Sequence, residues 1–429
     1  MSRPIARVVH LNFTEHFGGA GKAALRLNRA LGDIGVDSTM LVASKTGDED
    51  DVVEFRPPMD LPSRIRRRIR RERIEWSKRP YRSAIPEGVE PISDDSSQFG
   101  DTVCNQVPGA AIVHLHWVSG FVDRTTLPAA PGKALVWTLH DMEPFTGGCH
   151  YSLGCERYRD RCGRCPQLGS ERADDLSARA HSRKMRAYRA LDDGSVRIVT
   201  PSRWLADRCA ESSLLGGFPV SVIPNGVNTE VFRPRDAAGL RSTLTVAEGQ
   251  KVLLFVAMEL GNHRKGLDLL LGALAELPEP KPVLVTIGAG RRLPVPDAFR
   301  HVKLGYVIDE RLLSFYYSAA NAVVIPSRED NLPNTGVEAL ACGTPVVGFD
   351  AGGIPEIARP GKTGAVAPPE DVRGLARALL SVLDLEDDDP MRERCRELAL
   401  REFDMTVQAT RYGELYRELL PTARKADSP

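Results

Sequence analysis

The stretch Arg328-Glu329-Asp330-Asn331-Leu332-Pro333-Asn334-Thr335-Gly336-Val337-Glu338-Ala339-Leu340 follows an apolar run and leads into a helical pattern. In a parallel α/β sheet this order puts Asp330 and Glu338 beyond the carboxyl ends of the strands, where such sheets bind ligands. A carboxylate accepts paired hydrogen bonds from vicinal sugar hydroxyls, and amides around Asn334, Thr335 and Gly336 can hold a phosphate. A second element, His263-Arg264-Lys265-Gly266, offers two cations before a helix. Taken alone the pair reads as solvated basic residues at a helix start. A third, Phe17-Gly18-Gly19-Ala20-Gly21, separates a strand from a helix. Glycines let backbone amides approach an anion, which assigns Gly18 and Gly19 to diphosphate contact, against a tight turn without ligand. It is not an ATPase phosphate loop: the Gly18 to Gly21 spacing is too short and Lys22 precedes Ala23 rather than Ser or Thr.

Four of the eight cysteines, Cys149, Cys155, Cys162 and Cys165, fall in one loop. The Cys162-Gly-Arg-Cys165 spacing and a four-thiolate set suit a tetrahedral structural zinc, with free thiols or one disulfide pair as alternatives. Cys104, Cys209, Cys342 and Cys395 are scattered and read as buried thiols. Ser63–Arg82 reads SRIRRRIRRERIEWSKRPYR, in which Ile65, Ile69 and Trp76 share one helical face among arginines. This is either a helix lying on an anionic membrane surface or a solvated basic face.

The elements that position these residues alternate. Strands are expected at Arg7–Phe13, Ser38–Ala43, Ala111–Trp117, Ala134–His140 and Val196–Thr200, with a helix at Ala23–Gly35. A second series reads at Val220–Ile223, Lys251–Met258, Pro282–Ile287, Ala322–Ile325 and Pro345–Phe349, with helices at Lys265–Leu277, Arg311–Ala320, Thr335–Ala341, Val372–Leu383 and Val407–Leu420. The runs are continuously apolar, as for parallel strands covered on both faces. With 429 residues, two domains are expected. They divide into residues 1–217, 218–406 and a final helical segment 407–429. The acidic stretch Glu386–Asp389 reads as solvated surface. Lys+Arg and Asp+Glu balance at 57 each, which argues against a nucleic-acid partner. No basic-then-apolar leader and no membrane-spanning apolar run is seen, so a cytoplasmic protein is expected, with peripheral contact at the inner face of a membrane through 63–82.

The chain resembles the retaining, family-4 type glycosyltransferases with the two-domain GT-B fold. Their signature is an acidic residue, seven residues, then Glu, small residues and Gly-x-Pro; here it is Asp330, seven residues, Glu338, then Ala341-Cys342-Gly343-Thr344-Pro345. The family usually places Glu at the first position, so Asp330 is a departure and Glu329 beside it is an alternative. The resemblance implies α/β architecture, two Rossmann-like domains with a cleft between them, and these roles: the first acid on the donor sugar, Glu338 on the ribose, Lys265 and Arg264 on the diphosphate. The family's arginine usually stands earlier, where Met258-Glu259-Leu260 lies here.

Val222-Ile223-Pro224-Asn225-Gly226-Val227 resembles the family's entry to the second domain, Gly352-Gly353-Ile354-Pro355-Glu356 its late loop, and Val407–Leu420 the helix that crosses back onto the first. Thr138-Leu139-His140-Asp141 implies a donor-sugar role for His140; of His114 and His116, one is expected to face the site and the other to pack. A subset of bacterial polysaccharide enzymes has a similar cysteine-rich loop. The resemblance thus implies hexosyl transfer from a nucleoside-diphosphate sugar to a saccharide or lipid-linked acceptor, with retention and no catalytic cofactor, in surface polysaccharide or glycolipid assembly. The rivals are a degenerate scaffold that binds nucleotide sugar or a partner, and a sugar-nucleotide epimerase. A phosphorylase would need a pyridoxal-phosphate lysine and a longer chain.

Overall fold

The computed structural model describes residues 7–425 except 86–87, 89, 108, 130–132, 192–193, 291–298 and 386–389. Glu386–Asp389 therefore lies outside the described residues. The chain divides into two units, Met1–Ile223 with Gln408–Pro429, and Pro224–Val407.

The first unit holds a seven-stranded parallel sheet of β1 (Val8–Asn12), β2 (Ser38–Val42), β3 (Val52–Glu54), β4 (Ile112–Leu115), β5 (Ala134–Thr138), β6 (Val196–Thr200) and β7 (Val220–Val222), in the order β3-β2-β1-β4-β5-β6-β7. All residues of β1, β4 and β5 are buried, as both-faces coverage requires. The helices of this unit are α1 (Gly18–Asp33), α2 (Leu61–Lys78), α3 (Leu176–Tyr188) and α4 (Arg203–Ala210). Asp175 and Ser202 cap α3 and α4 through side-chain oxygens that accept from Ala178 and Leu205 N–H, each such cap worth about 1 kcal/mol.

The second unit is built the same way. Its sheet comprises β8 (Val252–Glu259), β9 (Val283–Ala289), β10 (His301–Lys303), β11 (Ala322–Ile325), β12 (Val346–Phe349) and β13 (Gly364–Ala367), in the parallel order β10-β9-β8-β11-β12-β13. Around it lie α5 (Ala238–Thr243), α6 (Leu267–Glu276), α7 (Glu310–Ala319), α8 (Asn334–Ala341), α9 (Ile354–Ile357), α10 (Val372–Leu383) and α11 (Met391–Leu398). Leu253, Val285, Val323, Val347 and Leu379 are among the side chains of its core. A last helix, α12 (Met405–Lys425), places Tyr412 and Tyr416 against the first sheet. Their hydroxyls lie 2.7 Å from Thr138 Oγ1 and from His114 Nδ1.

Two expectations need correction. Val220–Ile223 was expected to open the second half, but β7 pairs in register with β6 (Ile198 with Val220), so the division falls at Ile223/Pro224 rather than 217/218. The helix expected at Ala23 begins at Gly18, because the glycines form its first turn instead of a preceding loop.

Candidate functional site

In the second unit, the loop after β11 turns into α8 and carries Asp330. Its carboxylate is buried and accepts from Lys265 Nζ at 2.6 Å and Ser327 Oγ at 3.2 Å, with Arg264 Nη1 3.5 Å away. Burial pushes the Asp330 carboxyl up, but Lys265 and Arg264 outweigh it and hold it at about 2. The Asp330 carboxyl therefore stays ionised, and two cations stand against its one negative charge.

Two glycines make this meeting possible. Gly266 (φ +69°) ends the Arg264-Lys265 turn, where a Cβ would collide with the Pro326 carbonyl oxygen. Gly352 (φ +64°) lets the 352–353 loop press onto Asp330, whose carbonyl oxygen would meet any Cβ there and which accepts from Gly353 N–H at 2.9 Å. Positive φ costs glycine little and other residues much.

Arg264 also donates to the Glu329 carbonyl oxygen at 2.9 Å. Asp330, at the first acidic position, thus braces both cations, while Glu329 is more exposed. Three residues of α8 extend the site. Asn334 and Thr335 occupy its first turn, whose N–H groups lack intrahelical partners and favour anions. Asn334 Oδ1 accepts from Asn225 Nδ2 at 3.0 Å, tying the turn to the Pro224-Asn225-Gly226 segment. Glu338, one helical turn on, is buried and accepts from Tyr317 O–H at 2.8 Å. Tyr317 lies on α7 and had no mark in the sequence that set it apart from core tyrosines.

In the first unit, Gly18 and Gly19 begin α1 behind the uncapped, exposed Phe17. They present first-turn amides, the arrangement an anion needs. Gly21 packs against the Thr14 and Glu15 carbonyls, so its small size is a packing requirement.

His140 follows β5 as the end of a chain of imidazoles. Its Nε2 lies 3.1 Å from His116 Nδ1, and His116 Nε2 lies 2.9 Å from His10 Nδ1. Burial lowers His140 to about 4 and His10 to about 3, and holds His114 and His116 well below their usual value, so the rings are neutral. His10 Nε2 is buried with no partner among the described residues. Orphaned N–H groups are rarer than under-satisfied acceptors, so Nε2 is the bare nitrogen. Protons then sit on Nδ1 of His10, His116 and His140 in turn.

One expectation fails here: His114 and His116 do not divide between site and packing. Residues two apart on a strand share a face; the ring centroids lie 4.1 Å apart with the planes tilted, both rings buried. His114 instead bonds Thr138 Oγ1 at 2.7 Å as well as Tyr416.

The loop after His140 is anchored by a buried ion cluster that the sequence did not reveal. Glu143 accepts from Arg124 at 2.6 Å and Lys184 at 2.7 Å, with all three side chains at most 1% exposed. Burial opposes its charge, yet Arg124 and Lys184 keep it at about 2. Asp141 accepts from Trp117 Nε1 at 3.0 Å and His150 Nδ1 at 2.8 Å.

The four loop cysteines are free thiols, which removes the disulfide alternative in this structure. Cys162 Sγ accepts Gly147 N–H at 3.2 Å, while the Leu168 N–H goes to the Cys165 carbonyl oxygen at 3.2 Å. Among the described residues, the sets of three ligand atoms lying within 4.8 Å of one another are His10-His114-His116 and Glu15-His16-Glu49; the thiols are not one of them. The nitrogens of the histidine set are engaged in the hydrogen bonds above, His10 Nε2 excepted.

Comparison with known proteins follows the two units. Residues 17–231 match glycosyltransferase family 4, and residues 250–385 match glycosyl transferases group 1. A D-inositol 3-phosphate glycosyltransferase of Kribbella flavida is 32% identical over 333 residues, 70% of this chain and 69% of the relative. The colanic acid biosynthesis glycosyl transferase WcaC of Escherichia coli, described as putative by name, is 31% identical over 225 residues, 51% and 52% of the two chains. The chain spans 39% of the length of a Mycobacterium D-inositol 3-phosphate glycosyltransferase at 33% identity, so several curated relatives are matched over half their length or less. Among solved structures, sucrose-phosphate synthase of Thermosynechococcus elongatus aligns with TM-score 0.65 at 21% identity, over 97% of this chain and 99% of that one. Anabaena HepE in complex with UDP and glucose aligns with TM-score 0.60 at 15% identity, over 96% and 99%. These likenesses show the GT-B fold of paired Rossmann-like domains. With a family match over half its length and a relative above 30% identity across two thirds of that relative, the chain belongs to the family-4 glycosyltransferases.

Proposed function

We propose that this protein transfers a hexose from a nucleoside-diphosphate sugar to a hydroxyl acceptor, with retention at the anomeric carbon. The observation that carries the reading is the Arg264–Lys265–Asp330 cluster beside the first turn of α8. It has net positive charge, is partly exposed through Lys265, and sits at the carboxyl end of β11. Lys265, Arg264 and the amides of Asn334 and Thr335 take the diphosphate and stabilise it as it leaves. Glu338 accepts from the ribose hydroxyls. Asp330, with Glu329 beside it, serves the donor sugar.

His140 acts on the donor sugar and Gly18-Gly19 on the diphosphate, as in the family this chain resembles. A neutral Nδ1–H on His140 is a hydrogen-bond donor suited to a sugar hydroxyl. The leaving phosphate deprotonates the acceptor hydroxyl on the same face, which needs no protein nucleophile and no catalytic metal. HepE was solved with UDP and glucose, which supports a nucleotide-sugar donor here. An acceptor that is a saccharide or a lipid-linked saccharide, and work on the cytoplasmic side of a membrane in polysaccharide or glycolipid assembly, complete the proposal. Incubation with UDP-, GDP- and ADP-sugars and oligosaccharide acceptors, read by NMR of the product's anomeric coupling, tests it. Retained configuration supports it; inversion, or nucleotide release without an acceptor, refutes it.

The cysteine loop is proposed as a structural zinc staple for the segment following His140. The support is the donor set: four thiols in one loop, one of them already accepting a backbone N–H. Cys149, Cys155, Cys162 and Cys165 would hold the ion. One equivalent of zinc in purified protein, lost in Cys162→Ser, supports this; metal-free protein of unchanged stability contradicts it.

A further inference from the structure

The helix α2 makes an unusual use of its surface: none of its residues is buried. Its inner side is nonetheless attached by polar contacts. Arg70 pairs with Asp123 at 3.3 Å, Arg67 donates to the Pro58 carbonyl at 2.8 Å, and Ser77 donates to Asp94 at 3.4 Å. The partly covered positions Ser63, Arg67, Ile74, Ser77 and Lys78 follow helical spacing and define the side that faces the protein.

The opposite side carries Leu61, Ile65, Ile69 and Trp76, exposed by 66%, 50%, 57% and 74%. These positions fall within about 80° of arc at 100° per residue. Met59, just before the helix, is 69% exposed. Arg64, Arg68 and Arg71 flank the stripe on one side, Arg66 and Arg73 on the other. Between Ser63 and Arg82 ten basic residues stand against Glu72 and Glu75, and Glu75 is paired with Arg82. Glu72 is the one acid within the stripe.

We propose that α2 docks the first unit on an anionic phospholipid surface, lying in the plane of the interface with its apolar stripe in the headgroup and acyl boundary. Four large apolar side chains held outward lose water on insertion. The arginines on both flanks then meet lipid phosphates, each attracted by the negative surface. A tryptophan at one end of the stripe suits the headgroup level. The anchoring bonds to Asp123 and Asp94 hold the stripe away from the protein core, so docking needs no refolding. No helix among the described residues is long and apolar enough to cross a membrane, so this contact is superficial. Chemistry favours lipid over an acidic protein or a second copy. A rim of five arginines repels its own copy, and an apolar stripe has no use on a polyanion. The inference does not rest on the donor-site reading.

The test is flotation of the whole protein with phosphatidylcholine vesicles, with and without phosphatidylglycerol. Binding is expected only with the anionic lipid, weakening as salt rises, with Trp76 emission shifting to the blue. Ile65→Glu with Ile69→Glu lowers the partition coefficient at least about tenfold, while melting temperature and any nucleotide-induced thermal shift stay unchanged because neither side chain is buried. Arg66→Glu with Arg73→Glu gives a similar loss. No binding to anionic vesicles overturns the proposal, as does binding undiminished in the isoleucine variant. A sedimentation mass of a dimer that this variant reduces to a monomer assigns the stripe to a second copy and overturns it as well.

Discussion

Replacing Asp330 by asparagine keeps the side chain's shape and removes its charge, and the structure gives opposite signs for its effects on stability and on anion binding. In the unliganded protein the carboxylate is held at about 2 against an ordinary value of 3.8. At ~1.4 kcal/mol per pH unit this is about 2 kcal/mol of stabilisation at neutral pH, lost in Asp330→Asn because Lys265 and Arg264 are left facing each other. For a domain of about 150–250 residues that lowers Tm by about 4–8 °C. The folded pKa is depressed, so this stabilisation is present above 3.8 and disappears as pH falls from there to about 2. The variant should track the wild type below that window. Meanwhile the site's net charge rises from one to two, so calorimetric titration should show free nucleoside diphosphate bound as tightly or more tightly, even as sugar transfer falls. Unchanged Tm together with lost diphosphate binding would refute the reasoning and make Asp330 a direct nucleotide ligand.

Further outcomes follow from the same geometry. Glu143→Gln strands Arg124 and Lys184 in the core and should cost about 3–5 kcal/mol by urea denaturation; a loss under 1 kcal/mol, on the order of a surface pair, would contradict the buried cluster. The imidazole chain makes the first unit acid-sensitive: folded pKa values below 6.5 mean that its stability is complete above 6.5 and drains as pH falls toward about 4 for His140 and about 3 for His10. Each histidine contributes up to about 1.4 kcal/mol per pH unit in that window, and His10→Phe should flatten the profile in urea melts. Nitrogen-15 NMR should find the His140 proton on Nδ1, moving to Nε2 if the chain runs the other way. Gly352→Ala forces a side chain against the Asp330 carbonyl at positive φ, and a loss of at least about 1–3 kcal/mol is expected by thermal melting.

Much of the architecture was legible because parallel strands buried on both faces are written as uninterrupted apolar runs. Val196–Thr200 and Ala322–Ile325 have the expected bounds. The short edge strands Val52–Glu54, His301–Lys303 and Gly364–Ala367 were not. Three or four residues carry too little periodicity, and their register is set by the neighbouring strand. β7 was visible but misassigned, since which sheet a strand joins is a tertiary choice. The glycines at Gly18-Gly19 read as a loop because glycine disfavours helix interiors, whereas at a first turn without a side-chain cap that cost is small.

Among the candidate residues, Asp330 and Glu338 stood out by their place at and after a strand-to-helix turn, and Lys265 only through the family resemblance, since alone it reads as a solvated cation at a helix start. Tyr317, Tyr412, Tyr416 and His10 did not. Tyr317 and His10 lie in apolar stretches, Tyr412 and Tyr416 in an ordinary amphipathic helix, and only the fold brings them to Glu338, Thr138, His114 or His116. The same holds for Arg124, Glu143 and Lys184, charged residues scattered in sequence whose joint burial only the packed structure reveals.

The central claim is that the cationic cluster on the second unit receives a nucleoside diphosphate. Its most direct test is calorimetric titration of UDP, GDP and ADP into the wild type and Lys265→Ala. The account predicts selective binding of one nucleotide by the wild type, weakened at least about tenfold in the variant, roughly one charge-assisted hydrogen bond. Absence of binding to any of the three by folded wild-type protein, or equal binding by the variant, would contradict it.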